Sequence, residues 1–208
     1  MYIHHEIPHY LKSPKDAIIG FAQQPYIPVH SKLTIVTGVA SGSGKMAVAL
    51  SQIYHERENE ISAGFAKVET FPIWNLPTAH PINLAYEAAT ADLGDKVVID
   101  PYHKRAYNRT AVNYNRDIAN FAILKRIAAI ITGEKEAFGY RSPTDMGINK
   151  AKEAITHDNR CQKAARLEIV RRYYDYLKNY RQGKESLTTI RRMKRLLKKI
   201  EYHIPKEK

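Results

Sequence analysis

A short β-branched run that empties into glycines and then into helix formers constrains this chain more than any other stretch: Leu33-Thr-Ile-Val-Thr-Gly-Val-Ala-Ser-Gly-Ser-Gly-Lys-Met-Ala-Val-Ala-Leu-Ser-Gln52. A strand, a glycine turn and a helix in that order predict a cradle for a phosphate group. Gly38, Gly42 and Gly44 can take positive φ and let main-chain N–H groups crowd toward an anion, while the following helix aims its positive end at the same point. Lys45 adds a movable charge, so Gly38, Gly42, Ser43, Gly44 and Lys45 are the candidate phosphate-binding residues.

The match to the standard phosphate loop G-x-x-x-x-G-K-[ST] fails in two places. Val39 stands where the first glycine belongs, with Gly38 one residue early, and Met46 replaces the hydroxyl that ordinarily holds magnesium. Any metal is therefore held by other groups or is not needed. The plainer reading is a glycine-rich turn that only packs a helix onto a sheet.

At 208 residues the chain can bury one good core, or one domain with a helical appendage. Its single Cys161 excludes an internal disulfide and a cysteine-built zinc site; with no apolar leader after Met1, this predicts a cytoplasmic setting. No stretch is apolar for long enough to span a membrane. The formal charge of +12 is unevenly placed: residues 160–208 hold 16 Lys/Arg against 5 Asp/Glu, and the preceding 159 residues are nearly neutral. Such a tail can meet RNA, an acidic membrane face or an acidic partner. It can equally be the solvated side of helices packed by an apolar stripe, as Leu187, Ile190, Met193, Leu197 and Ile200 suggest. No aromatic stacking platform accompanies the charges, which disfavours RNA.

The expected fold is α/β: a small, mainly parallel three-layer sheet with a phosphate-loop-like strand-to-helix turn, followed by a helical region. Residues 1–32 read as an irregular arm with a short helix near 13–21, residues 33–114 as the α/β core, and 115–208 as helices with a basic end. Strands are expected at 33–36, 64–70 and 96–100, and helices at 45–58, 81–91, 115–132, 150–157, 159–181 and 186–202. The run Phe71-Pro-Ile-Trp-Asn-Leu-Pro-Thr-Ala-His-Pro81, with three prolines, reads as a packed loop.

Ligands of doubly wound sheets bind beyond the carboxyl ends of the strands. Glu69 and Asp100 fall at such ends and are the candidate metal ligands, for Mg2+ directly or through water. His80 and His103 are of interest by position alone, since nine scattered histidines without metal-ligand spacing make no transition-metal site. Asn113-Tyr-Asn-Arg-Asp117 offers more polar side chains than a helix cap uses. Arg116 could grip a phosphate or carboxylate and Asp117 orient a hydroxyl or act as base; an internal Arg–carboxylate pair is the structural alternative. Asp117, Arg116, Asp100 and His80 are thus the candidate catalytic residues, with ATP or another nucleoside triphosphate and Mg2+ as implied cofactors. Phosphotransfer or ligase-type chemistry is one reading. A non-catalytic module for a small phosphorylated ligand is another.

Several long motifs in order carry a resemblance: Val36-Thr-Gly-Val-Ala-Ser-Gly-Ser-Gly-Lys-Met-Ala47, Ala66-Lys-Val-Glu-Thr-Phe-Pro-Ile-Trp-Asn-Leu-Pro77, His80-Pro-Ile-Asn-Leu-Ala-Tyr-Glu-Ala-Ala-Thr-Ala-Asp-Leu93, Asn113-Tyr-Asn-Arg-Asp117, Ser142-Pro-Thr-Asp-Met-Gly-Ile-Asn149 and Glu168-Ile-Val-Arg-Arg-Tyr-Tyr174. Over about residues 33–174 the chain resembles a bacterial family of uncharacterised proteins, domain of unknown function 1846. The resemblance implies a cytoplasmic α/β protein and brings no reaction or catalytic residues. It also implies members more than twice as long, with an α/β segment ahead of the glycine loop. The expected partners are therefore the missing segments of a larger protein or a second copy of this chain.

Overall fold

The computed structural model describes residues 1–39 and 42–205. In chain order its regular elements are α1 (Pro14–Ala22), α2 (Lys45–Glu58), β1 (Lys67–Val68), α3 (Pro81–Ala89), β2 (Val97–Ile99), α4 (Pro101–Tyr107), β3 (Val112–Tyr114), α5 (Asn115–Thr132), β4 (Gly147–Ile148), α6 (Asp158–Arg181) and α7 (Leu187–Lys199). Short 3-10 turns occur at Ala137–Gly139, Thr144–Met146 and Ala151–Ala154. No helix among the described residues is long and apolar enough to cross a membrane.

The chain divides into two compact units, each assembled from discontinuous stretches: Met1–Lys67 with Asn120–Tyr140, and Val68–Ala119 with Arg141–Lys208. In the first unit α1 starts where Ser13 caps the Asp16 amide and Pro14 presets the first turn. It packs on α2, and Ala17 and Phe21 of α1 and Leu50 and Ile53 of α2 are buried. Gly20 sits inside α1 because Ile7 lies against it so closely that a Cβ would collide with Ile7 Cγ2. The Gln52 amide reads both main-chain groups of Ile27, and His55 Nε2 meets the Gln24 carbonyl at 2.8 Å. Thus α2 pins the segment after α1 by side chains instead of strand pairing. Phe65, Phe138 and Tyr140 form an aromatic cluster in the same unit.

The second unit holds a helical core. The apolar face of α7 (Ile190, Met193, Leu196, Leu197) closes on Ile169 and Tyr173 of α6 and Leu84 and Ala88 of α3. That burial accounts for the basic tail: the stripe is inside, and Arg191, Lys194, Arg195 and Lys198 are exposed. Other tail cations serve the fold, with Arg166 donating to the Ile200 carbonyl at the end of α7 and Arg192 to the Ala91 carbonyl at 2.8 Å.

The architecture is α/β with little strand, and here the expectations need correcting. The strands form two separate two-stranded sheets, β1 with β4 and β2 with β3. β2 and β3 run antiparallel, with Val97 opposite Tyr114 and Ile99 opposite Val112. The connection leaves and re-enters at one end of the pair: Asp100 begins α4, Asn108 turns the chain in a left-handed conformation, and the Asp100 amide donates to the Ala111 carbonyl at 2.9 Å. Residues 33–36 form no regular strand and pair with none among the described residues. The strand expected at 64–70 shrinks to two residues, and the helix expected at 150–157 to a 3-10 turn.

Candidate functional site

The glycine loop has the local geometry its composition requires. Gly42 and Gly44 adopt φ of +77° and +83°, and open space surrounds the position of a Cβ at each. Gly38 is needed for a different reason: a Cβ there would strike Ser43 Oγ, so the chain entering the loop closes on the chain leaving it. Lys45 Nζ donates to Ser43 Oγ at 3.2 Å. Gly44 caps α2 without any side-chain hydrogen bond, and the first turn of α2 carries no acidic residue. Among the described residues no acceptor is paired with the amides of Gly42, Ser43 or Gly44. The arrangement can therefore accept an anion, which would meet main-chain donors, the helix dipole and the Lys45 ammonium together. Ser41, at the middle of the motif, lies outside the described residues.

The other candidates belong to the second unit, where each has a structural occupation. Asp100 is fully buried. Its Oδ1 accepts the amides of Tyr102 and His103 at 2.9 and 3.0 Å, capping α4, and its Oδ2 accepts the Thr144 amide and hydroxyl at 3.2 and 2.7 Å. Four donors satisfy that carboxylate. His80 caps α3 with Nδ1, which accepts the Ile82 amide, and its Nε2 faces Asp158 Oδ1 at 3.2 Å at the start of α6. The cap fixes the tautomer with the proton on Nε2.

Arg116 donates from Nη2 to Asp95 Oδ2 at 2.8 Å, and its Nε lies 2.7 Å from Oδ1 as an ion-pair contact. Asp95 is buried and Arg116 half-exposed, so the guanidinium neutralises a carboxylate that the fold has taken from water. The polar surplus of residues 113–117 resolves into several jobs. Asn113 and Tyr114 are strand residues of β3, Asn115 Oδ1 accepts the Lys96 amide at 2.7 Å, Arg116 pairs with Asp95, and Asp117 lies in the first turn of α5.

Glu69 continues β1, its amide donating to the Ile148 carbonyl at 3.0 Å, with its carboxylate beside Tyr86 and Tyr114. Those two rings lie 4.9 Å apart, and Tyr86 stacks on Phe71. Tyr114 donates its hydroxyl to the Phe71 carbonyl at 2.5 Å. Burial first, with nearby carboxylates adding to it, pushes both phenols above their ordinary value, so neither is a proton acceptor near neutrality.

The structure gathers a second group around His103, which the sequence singled out by position alone: Tyr107, Arg141, Ser142 and Asp145 join it, and none of these four was a candidate. His103 Nδ1 lies 3.1 Å from Ser142 Oγ and 3.6 Å from Asp145 Oδ1, and Tyr107 donates to Asp145 Oδ2 at 2.9 Å. By composition this is a Ser, a His and an Asp. By geometry it is no relay, since both partners face the same ring nitrogen and buried Ser142 Oγ also accepts the Asp145 amide. Ser-Pro-Thr-Asp is turn-capping chemistry, and that was the signal available in the sequence. Among the described residues no group of three or more His, Cys, Asp and Glu stands where it could hold a metal ion.

Against known proteins, residues 1–201 match the family model described as "Domain of unknown function DUF1846, N-terminal". Similar relatives, each named "UPF0371 protein", come from Clostridium tetani (47% identical over 87% of this chain), Clostridium botulinum (44% over 88%) and Streptococcus thermophilus (45% over 94%). The chain spans 36% of the length of the two clostridial proteins and 40% of the streptococcal one. The match takes in the arm and both basic helices as well as the motif-bearing middle, and on that extent the chain belongs to the DUF1846 family.

Proposed function

We propose that the glycine loop at residues 38–45 binds the phosphate of a nucleotide or another phosphorylated small molecule, and that this chain is the binding module of a larger protein. The observation that carries the reading is the pair of left-handed glycines, Gly42 and Gly44, set before an uncapped 14-residue helix with Lys45 at its first position. Met46 takes the place of the metal-holding hydroxyl, so affinity is expected without Mg2+. Phosphotransfer with ATP and Mg2+ would draw its carboxylates from elsewhere than Asp100, whose acceptor sites are all used within the fold. His80 and Arg116 are similarly committed to Asp158 and Asp95.

Isothermal titration of ATP and of inorganic pyrophosphate, with and without Mg2+, tests this on both this chain and the streptococcal relative. Saturable binding that weakens at least about tenfold in Lys45→Ala, and weakens further as salt rises, is the expected result. No heat of binding from either protein, or a Lys45→Ala variant that binds like the wild type, would overturn it.

A further inference from the structure

Residues 33–36 have the composition of an interior strand and none of its surroundings. Leu33 is 78% and Ile35 82% exposed, while Thr34 is exposed and Val36 38% exposed on the alternate face. Among the described residues no main-chain group pairs with those of 33–36. A β-branched run with apolar residues on both faces (Leu33 and Ile35 on one, Val36 beside Thr34 on the other) suits a strand buried on both sides in a parallel sheet. Left in water it is a row of open donors and acceptors flanked by bare hydrocarbon.

We propose that residues 33–36 are a docking strand, taken up by the part of the longer family proteins that lies outside the matched region, which supplies neighbouring strands and apolar cover on both faces. One observation and one symmetry argument select that occupant over a second copy. The relatives carry 60% or more of their length beyond the match, ample for strands and covering layers. A second copy related by a two-fold axis would add one antiparallel strand of the same sequence, and an isolated two-stranded ribbon is marginal in water. The inference stands apart from the phosphate reading, because a strand can dock whether or not the loop after it binds an anion.

Hydrogen exchange on intact proteins tests it. In this chain alone the amides of 33–36 exchange like unstructured peptide, whereas the matching amides of the full-length Streptococcus thermophilus relative are protected about a hundredfold or more. Ile35→Asp leaves the melting temperature of this chain unchanged, and the matching change in the relative lowers it by several degrees. Free exchange of those amides in the relative would overturn the proposal. So would protection in this chain that rises with its concentration, which would assign the strand to self-association.

Discussion

The glycine loop and the Asp100 corner contain the same kinds of groups in opposite states. At Asp100 a carboxylate, a threonine and two helix amides are buried and mutually satisfied, with four donors on two oxygens. Residues 42–44 are exposed, with two left-handed glycines and open space where a Cβ of either would stand, and among the described residues no acceptor is paired with their amides. A polar group consumed by the fold contributes stability and has nothing left for a ligand. A polar group that the fold leaves open has the reverse character, which is why the loop and not the buried corner carries the functional proposal.

The largest test of that contrast is Asp100→Ala. It uncaps α4 and strands Thr144, and urea unfolding should lose about 4 kcal/mol. A loss below about 1 kcal/mol would break the distinction. Next, Arg116→Met leaves Asp95 buried without its guanidinium and should cost about 3 kcal/mol, while replacing both residues with apolar ones of similar size recovers most of it. Were Arg116 there for a ligand, the single change would barely move the urea midpoint.

Gly44→Ala forces a Cβ into a φ of +83° and should cost about 1 kcal/mol in the same assay, although no atom stands in its way. The Glu168 carboxylate is held down at about 2, from an ordinary value of 4.5, chiefly by the Arg171 guanidinium that donates to it. A value depressed in the folded state means stability that is present above 4.5 and lost as pH falls toward 2. The difference between wild type and Glu168→Gln should therefore vanish over that acid range, and at this solvent-screened site it should stay under about 1 kcal/mol. Lys45→Ala should be smallest, within about 0.5 kcal/mol in stability while abolishing most of the anion affinity; a large loss of stability would make Lys45 architectural.

Local signals were legible. Ser13-Pro14 before α1, His80-Pro81 before α3 and the apolar spacing of α7 put helices where the structure has them, because capping and periodicity act within a turn or two. The boundaries of α2 and α5 follow the expected 45–58 and 115–132. The antiparallel β2–β3 pair was hidden because a hydrophobic run closed by Asp reads alike whether the chain crosses over or turns back at Asn108.

The sequence by itself determined the longer helices though not α4, the glycine turn that precedes α2, the packed proline loop and the unequal placement of charge, since each rests on residues a few positions apart. Tertiary structure alone decided which polar groups are spent. Asp100 meets Thr144 44 residues away, Arg116 meets Asp95 across 21, and buried Asn83 accepts the Ile73 amide and donates to the Ile73, Leu76 and Pro77 carbonyls to hold the proline loop. Whether a donor faces a ligand or a neighbour depends on what long-range packing brings against it, and burial makes that choice costly to reverse.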